Sequence, residues 1–316
     1  MKWKKIGKIF DPAEHDAFSE FVGFAQSPQA LVLEDRVRIY FSIRKADPNG
    51  KVVSHIAFVD YDKELRSIIG FSEKPVIEPG KLGTFDEHGI FPISPLKHSN
   101  QIIAYTCGWS RRVSVSVETS TGLAVSDDNG ISFRRTGDGP IMSASLHEPF
   151  LVGDSFVRVF DNVFHMWYIY GSSWRQFPGE GVERVYKIGH AVSSDGVHFK
   201  RDGKAIIPDK INEDECQALP TVIYHKDRYH MIFCYRHAVG FRRDPAKAYR
   251  LGYAYSSDLV QWTRDDESIG IGPSANGWDS EMMCYPNLFH CDGKLYLLYN
   301  GNEFGRNGFG LASLEN

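Results

Sequence analysis

The stretch PTVIYHKDRYHMIFCYR, residues 220–236, decides the fold, because its pattern returns four more times along the chain. Its mark is a Pro followed thirteen residues later by an aromatic residue inside an apolar run, here Pro220 and Phe233. PNLFHCDGKLYLLYNG (286–301) carries it as Pro286 and Tyr299, and PISPLKHSNQIIAYTCGW (92–109) as Pro92 and Tyr105. PQALVLEDRVRIYFSIR (28–44) carries it as Pro28 and Phe41, and SFVRVFDNVFHMWYIYG (155–171) as Ser155 and Tyr168. The starts at 28, 92, 155, 220 and 286 lie 64, 63, 65 and 66 residues apart, so five units use up the 316 residues. Self-similarity at a fixed period is the signature of a repeat architecture.

A second element recurs further on in three of the units: GLAVSDDNGISFRR (122–135), GHAVSSDGVHFKRD (189–202) and GYAYSSDLVQWTRDD (252–266). Small and apolar residues alternate up to a Ser-Asp turn, and an aromatic strand rich in Arg or Lys follows. Alternation of period two around an Asn-Gly or Asp-Gly step is a strong hairpin signal. Each unit therefore reads as four antiparallel strands, and five such units read as an all-β, five-bladed β-propeller in one domain, 1–316. The last unit stops at its third strand, GFGLASLEN (308–316), while WKKIGKIF (3–10) resembles the fourth-strand segment FKRDGKAII (199–207). The N-terminal strand is thus expected to complete the last blade and close the ring, removing the open strand edges.

Composition limits the function classes. The chain is 42% apolar and 24% charged with a net charge of -4, and no basic block is present to neutralise nucleic-acid phosphates. No apolar run reaches the roughly 18 residues that span a bilayer, and MKWKKIGKIFDPAEHD lacks the apolar stretch of a secretory signal. Five cysteines without a CxxC pair read as reduced thiols of a cytoplasmic protein. The six Trp, 15 Tyr and 21 Phe leave ring faces free for a ligand.

In a propeller the inner strands line a central channel, and the segment before each anchor enters the funnel at one end. Five residues before the anchor stand Glu87, Glu215 and Glu281 in the second, fourth and fifth units, with Glu148 nearby in the third. Asp86, Asp214 and Asp279 flank the glutamates, whereas the first unit has Gly23 at this place. Carboxylates recurring in register read as a ring. Converging carboxyl groups raise one another's pKa, so that one stays protonated while another ionises. Asp86, Glu87, Glu148, Glu215, Asp279 and Glu281 are therefore the candidate acid/base residues.

With DEHGIFP, TCGW, HMWYIYGSSW, YRLGYAYSSD, GWDSEMMCYP and YNGNEFGRNGFG in view, the sequence resembles the five-bladed glycosidase-type propellers. These include arabinanase- and xylosidase-like hydrolases, invertase- and levansucrase-like enzymes and mannoside phosphorylases. The same motifs also resemble, over nearly the whole sequence, a glycosidase-like subgroup associated with bacterial surface-polysaccharide biosynthesis. The resemblance implies a basic Asp on the first blade, an orienting Asp on the second and an acidic Glu on the third. Asp86 and Glu148 match the second and third of these approximately. The first blade departs, since FAQSP offers Gln26 and Ser27.

Trp109, Trp174, Arg175, Arg236, Asn300 and Asn302 follow the second strands at equivalent places. Trp faces stack on sugar rings, and Arg and Asn bind hydroxyls or oxyanions. His88 and Tyr285 complete the candidate substrate contacts. SDDNGISF (126–133) fits the aspartate box of sialidases, but that box is a structural turn, and the histidines show no metal-ligand spacing. No cofactor is expected, with a calcium ion in the central channel as the alternative. The expectation is a carbohydrate-active enzyme acting on a small or activated sugar or nucleotide sugar in surface-polysaccharide synthesis. Its rivals are a transfer variant of that chemistry and a non-catalytic sugar-binding propeller.

Overall fold

Each repeat folds as its alternation dictates, into a four-stranded antiparallel sheet, and five such sheets make the ring. The computed structural model describes residues 1–179 and 181–315. The inner strands are Gln26–Val32, Ile90–His98, Val152–Phe160, Cys216–His225 and Cys284–Cys291. The second strands are Val37–Ala46, Gln101–Arg111, Val163–Phe177, Arg228–Arg236 and Lys294–Asn300. Third strands follow at Val52–Tyr61, Val117–Ser126, Gly181–Ser193, Arg250–Ser256 and Phe309–Leu314. The outermost strands are short, as at Ile68–Phe71, Arg134–Arg135, Lys200–Arg201 and Thr263–Arg264. Trp3–Phe10 is the outermost strand of the fifth blade, with Trp3 opposite Leu314 and Phe10 opposite Phe309. The closure expected from the termini is therefore present.

The second strands are buried at consecutive positions because neighbouring blades cover both of their faces. Val37 through Ile43 are all buried, as are Met166 through Tyr170 and Met231 through Cys234. The apolar clusters accordingly run between blades; one joins Phe10, Phe41 and Phe309 across the closure. Below the funnel the channel is filled with buried polar side chains that tie inner strands together. Asn287 Oδ1 accepts from Ala30 N at 2.9 Å, Thr221 Oγ1 from Leu288 N at 3.0 Å, and Ser94 Oγ from Val157 N at 3.3 Å. Among the described residues no group of three or more His, Cys, Asp or Glu is placed to hold a metal ion, and all five cysteines are buried and unpaired. No described helix is long and apolar enough to cross a membrane.

All five inner strands carry a register shift at the anchor, between Gln26 and Gln29, Ile90 and Ile93, Gly153 and Phe156, Ala218 and Thr221, and Cys284 and Asn287. A bulge is where a sheet accepts Pro, and it turns a side chain out of the alternation. The residue just before the anchor has a left-handed backbone in four blades: Ser27 (φ 53°), Asp154 (φ 49°), Leu219 (φ 47°) and Tyr285 (φ 55°). The second blade has a cis Phe91–Pro92 bond there instead. The anchor, Pro in four units and Ser155 in the third, is thus the mark of five repeating bulges.

Candidate active site

Four of the six acids expected to ring the funnel are buried inside their own blades. Asp86, Glu148, Glu215 and Asp279 are each 2% exposed or less, and each is paired with a cation on the outermost strand of the same blade. Asp86 meets Arg135 Nη2 at 2.6 Å, Glu148 meets Arg201 Nη1 at 2.6 Å, Glu215 meets Arg264 Nη1 at 2.6 Å, and Asp279 meets Lys5 Nζ at 2.6 Å. The register aromatic joins two of these clasps: Tyr168 donates to Glu148 Oε1 at 2.6 Å and Tyr299 to Asp279 Oδ2 at 3.1 Å. The rings sit against third-strand glycines; a Cβ at Gly189 would come within 2.8 Å of Tyr168, and one at Gly252 within 2.4 Å of Phe233. The first blade has no acid at this place, and Phe71 stands opposite Val59 as Arg135 stands opposite Ala124. There Phe18 packs edge-on against both Phe41 and Phe71, with centroids 5.6 Å apart. These four acids therefore hold blades together, which corrects the reading of them as part of a funnel rim.

The cavity itself, about 760 Å³, opens where the inner strands begin and takes its lining from all five blades. Its floor is made by bulge residues. Phe91, Asp154 and Tyr285, each immediately before its anchor, line it together with Gln26 of the first blade. A belt of rings runs round the wall from Trp109 through Phe91, Tyr285, Tyr249 and Phe304 to Phe241. Successive centroids are 6.0, 5.5, 5.7, 6.1 and 6.0 Å apart. The indole of Trp109 is fixed by its N–H, which donates to Phe91 O at 2.7 Å.

Of the expected site residues, Glu281, His88, Trp109, Arg236 and Tyr285 line this cavity. The others are placed elsewhere. Glu87 lies in a shallow depression beside it, accepting from Gly83 N at 2.8 Å, with Oε1 3.3 Å from His88 Nδ1. Trp174 packs against the apolar core and Arg175 pairs with Glu213 and Asp214. Asn300, fully buried, accepts from Ser27 N at 2.8 Å and donates to Ala25 O and Gly308 O, each at 2.8 Å. It stitches the last blade to the first. Asn302 accepts from Glu281 N at 2.8 Å and Met282 N at 3.2 Å, which positions the loop bearing Glu281.

Asp154 was not singled out from sequence, and it is the carboxyl on the cavity floor. It is 7% exposed, and burial lifts its pKa to about 7 despite the opposing pull of the nearby Arg184 guanidinium and a hydrogen bond from Leu219 N. A carboxylic acid held half-protonated near neutral pH is fitted to give and take a proton. The other carboxyl groups lining the cavity, Glu281 and Glu303, stand exposed at its mouth. The signal that would have found Asp154 was one residue before the anchor, the bulge position, not five.

Tyr186 and Tyr249 share a short contact of 2.6 Å between their hydroxyls, and Arg236 Nη2 donates to Tyr186 at 2.9 Å. Whichever phenol donates to the other, one hydroxyl hydrogen is left over for a ligand. Arg236 is 2% exposed and lies over the Phe241 ring at 3.5 Å, its Nη1 donating to His237 O and Ala238 O.

No family model matches the sequence. Two uncharacterized proteins of Mycobacterium tuberculosis, MT1551 of strain CDC 1551 and Rv1502 of strain H37Rv, are each 31% identical to it over 318 residues, covering 100% of this protein and of each relative. Among solved structures, a complex of BT0996 with RGII superposes with a TM-score of 0.73 at 16% identity, covering 99% of this protein and 91% of that one. The β-1,2-mannobiose phosphorylase of Listeria innocua gives a TM-score of 0.67 at 12% identity, with coverage of 99% and 96%. A thermostable family-43 glycoside hydrolase gives 0.65 at 17% identity, with coverage of 92% and 87%. At such identities the likeness is one of fold. By sequence this protein belongs to the family of the mycobacterial proteins MT1551 and Rv1502, and it carries the five-bladed propeller fold of glycoside hydrolase-like proteins.

Proposed function

We propose that this protein is a glycosidase-like enzyme that cleaves or transfers a glycosidic bond of a small saccharide, with Asp154 as the proton donor. The observation that carries the reading is the placement of Asp154, a buried carboxyl with its pKa near 7 on the floor of an aromatic-walled cavity. Sugar rings bind by stacking on ring faces, and a cavity of about 760 Å³ holds only a few of them. The protonated Asp154 gives its proton to the glycosidic oxygen as the bond to the anomeric carbon breaks and its electron pair stays on that oxygen. The anomeric carbon is then taken by water, deprotonated by Glu281 at the mouth, or by an acceptor that is already anionic and needs no base. Glycosyl transfer and hydrolysis differ here only in the acceptor, which fits a role on activated sugars in polysaccharide assembly.

The test is turnover of a panel of aryl glycosides and glycosyl phosphates by the wild type and Asp154→Asn. A lost general acid lowers turnover by about 10²–10⁴-fold, while ligand binding, followed by calorimetry, persists. Wild-type turnover in Asp154→Asn refutes the assignment. Binding of sugar by the wild type with no turnover of any substrate favours the binding-module reading.

A further inference from the structure

The cavity carries more positive charge than its fold requires. Five arginines line it, and two of these have carboxylate partners: Arg242 meets Glu183 at 3.0 Å and Arg111 meets Asp47 at 3.5 Å. Arg44, Arg184 and Arg236 form no ion pair with any described residue. They are held by aromatic faces instead: Arg44 over Phe24 at 4.1 Å, Arg184 over Trp109 at 5.4 Å, Arg236 over Phe241 at 3.5 Å. The carboxylates do not balance them. Glu303 is engaged by Arg306 at 3.2 Å, Glu281 stands exposed at the mouth in no ion pair with any of the three, and Asp154 is about half-protonated near neutral pH.

We propose that the saccharide taken by this cavity bears an oxyanion, a phosphate monoester or a uronate carboxylate, and that Arg44, Arg184 and Arg236 receive its charge. The inference rests on the reading of the cavity as a saccharide site and adds the class of sugar. A guanidinium removed from water without a counter-ion, as Arg236 is, is costly, and Arg44 and Arg184 stand half-buried in the same concave wall. An arriving oxyanion supplies the missing counter-charge. The planar fork suits either group, since carboxylate and phosphate oxygens accept two parallel N–H bonds. Ring faces hold the guanidinium planes in advance, so little side-chain freedom is lost on binding. The leftover hydroxyl hydrogen of the Tyr186–Tyr249 pair, itself polarised by Arg236, supplies a neutral donor beside these charges. A neutral sugar would leave the three cations unanswered.

The experiment is calorimetric titration of the full-length protein with glucose 1-phosphate, mannose 1-phosphate, glucuronate, inorganic phosphate, and neutral glucose and mannose, each to millimolar concentration. At least one charged sugar is expected to bind about tenfold or more tightly than its neutral parent, with affinity falling as salt rises. Arg184→Gln and Arg44→Gln are each expected to lose about tenfold of that binding, while Arg44→Lys, which keeps the charge, recovers part of it. Thermal unfolding of each variant confirms that it is folded. Selectivity for the sugar phosphates over glucuronate, or the reverse, identifies the source of the oxyanion. Inorganic phosphate binding alone, neutral sugars binding as well as charged ones, or no binding of any anion overturns the proposal. Asp154→Asn keeps the two readings apart: inactivity in that variant without anion selectivity in the wild type sinks this inference and leaves the enzyme reading standing.

Discussion

Asp154 owes its chemistry to a backbone feature. Its φ of 49° belongs to a bulge that turns the side chain out of the strand's alternation and onto a floor that water scarcely reaches, and residues in such strained conformations gather at functional sites. Burial favours the neutral form, while Arg184 favours the anion. As a proton donor Asp154 works in its protonated form, so activity should be present below pH 7 and fall through an alkaline limb near its pKa of about 7. Arg184→Gln removes the opposing cation, and the limb should move to higher pH, a shift visible in the pH profile of kcat/KM. An unmoved limb would mean another group titrates there. The sign for stability is similar. The folded pKa lies above the unfolded value of about 3.9, so the stabilising contribution is complete below that value and is lost as pH rises through about 7. Asp154→Asn should therefore flatten the decline in Tm between those limits and melt above the wild type at pH 8.

At the scale of the element, each blade is clasped from its inner loop to its outermost strand. Glu215 shows the clasp most fully: besides Arg264 it accepts from Lys210 N and Ile211 N, each at 2.9 Å, and from Gln217 Nε2 at 3.0 Å. A two-residue outer strand, Thr263–Arg264, has little ladder of its own, so the ion pair supplies the attachment. Removing one partner of such a buried pair costs about 3–5 kcal/mol, whereas an apolar replacement of both is often neutral. Glu215→Ala should show that loss in denaturant titration. Replacing the pair by Glu215→Leu with Arg264→Phe, after the manner of Phe71 in the first blade, should restore most of it. Per folded molecule, the turnover of both variants should stay close to wild type; abolished turnover in a folded Glu215→Ala protein would return that residue to the candidate catalytic set.

At the scale of the whole molecule, the ring depends on one join between distant ends of the polypeptide. Trp3–Phe10 brings Lys5 to Asp279 and Phe10 into the ring cluster between the fifth and first blades. Asn300 makes a second tie, from the last blade to Ser27 and Ala25 at the head of the first inner strand. Because the cavity draws on all five blades, opening this join spreads the site. Deletion of residues 1–10 should expose the Phe309–Leu314 edge, promote self-association seen by light scattering, and abolish ligand binding. A monomeric, ligand-binding deletion variant would contradict this account of closure.

The sequence was informative where the physics is local or periodic. Anchors near every sixty-fourth residue, alternation around Asp-Gly turns and the matching termini sufficed for the number of blades, their strand order and the closing strand. Trp109, Arg236, Tyr285, His88 and Glu281 were also legible, as side chains following or preceding strands that point toward the axis. The roles of Asp86, Glu148, Glu215 and Asp279 were not. The sequence places these four acids in the segments leading into the inner strands, but does not show that an Arg or Lys some fifty residues later in three blades, or at the opposite terminus in the fifth, turns each one inward. Asp154 escaped for a related reason: a bulge breaks the period-two rule that assigns side chains to faces. Repetition in the sequence thus determined the ring and its closure, whereas tertiary packing decided which carboxyl groups are neutralised within the blades and which one is left, buried and half-protonated, to face the cavity.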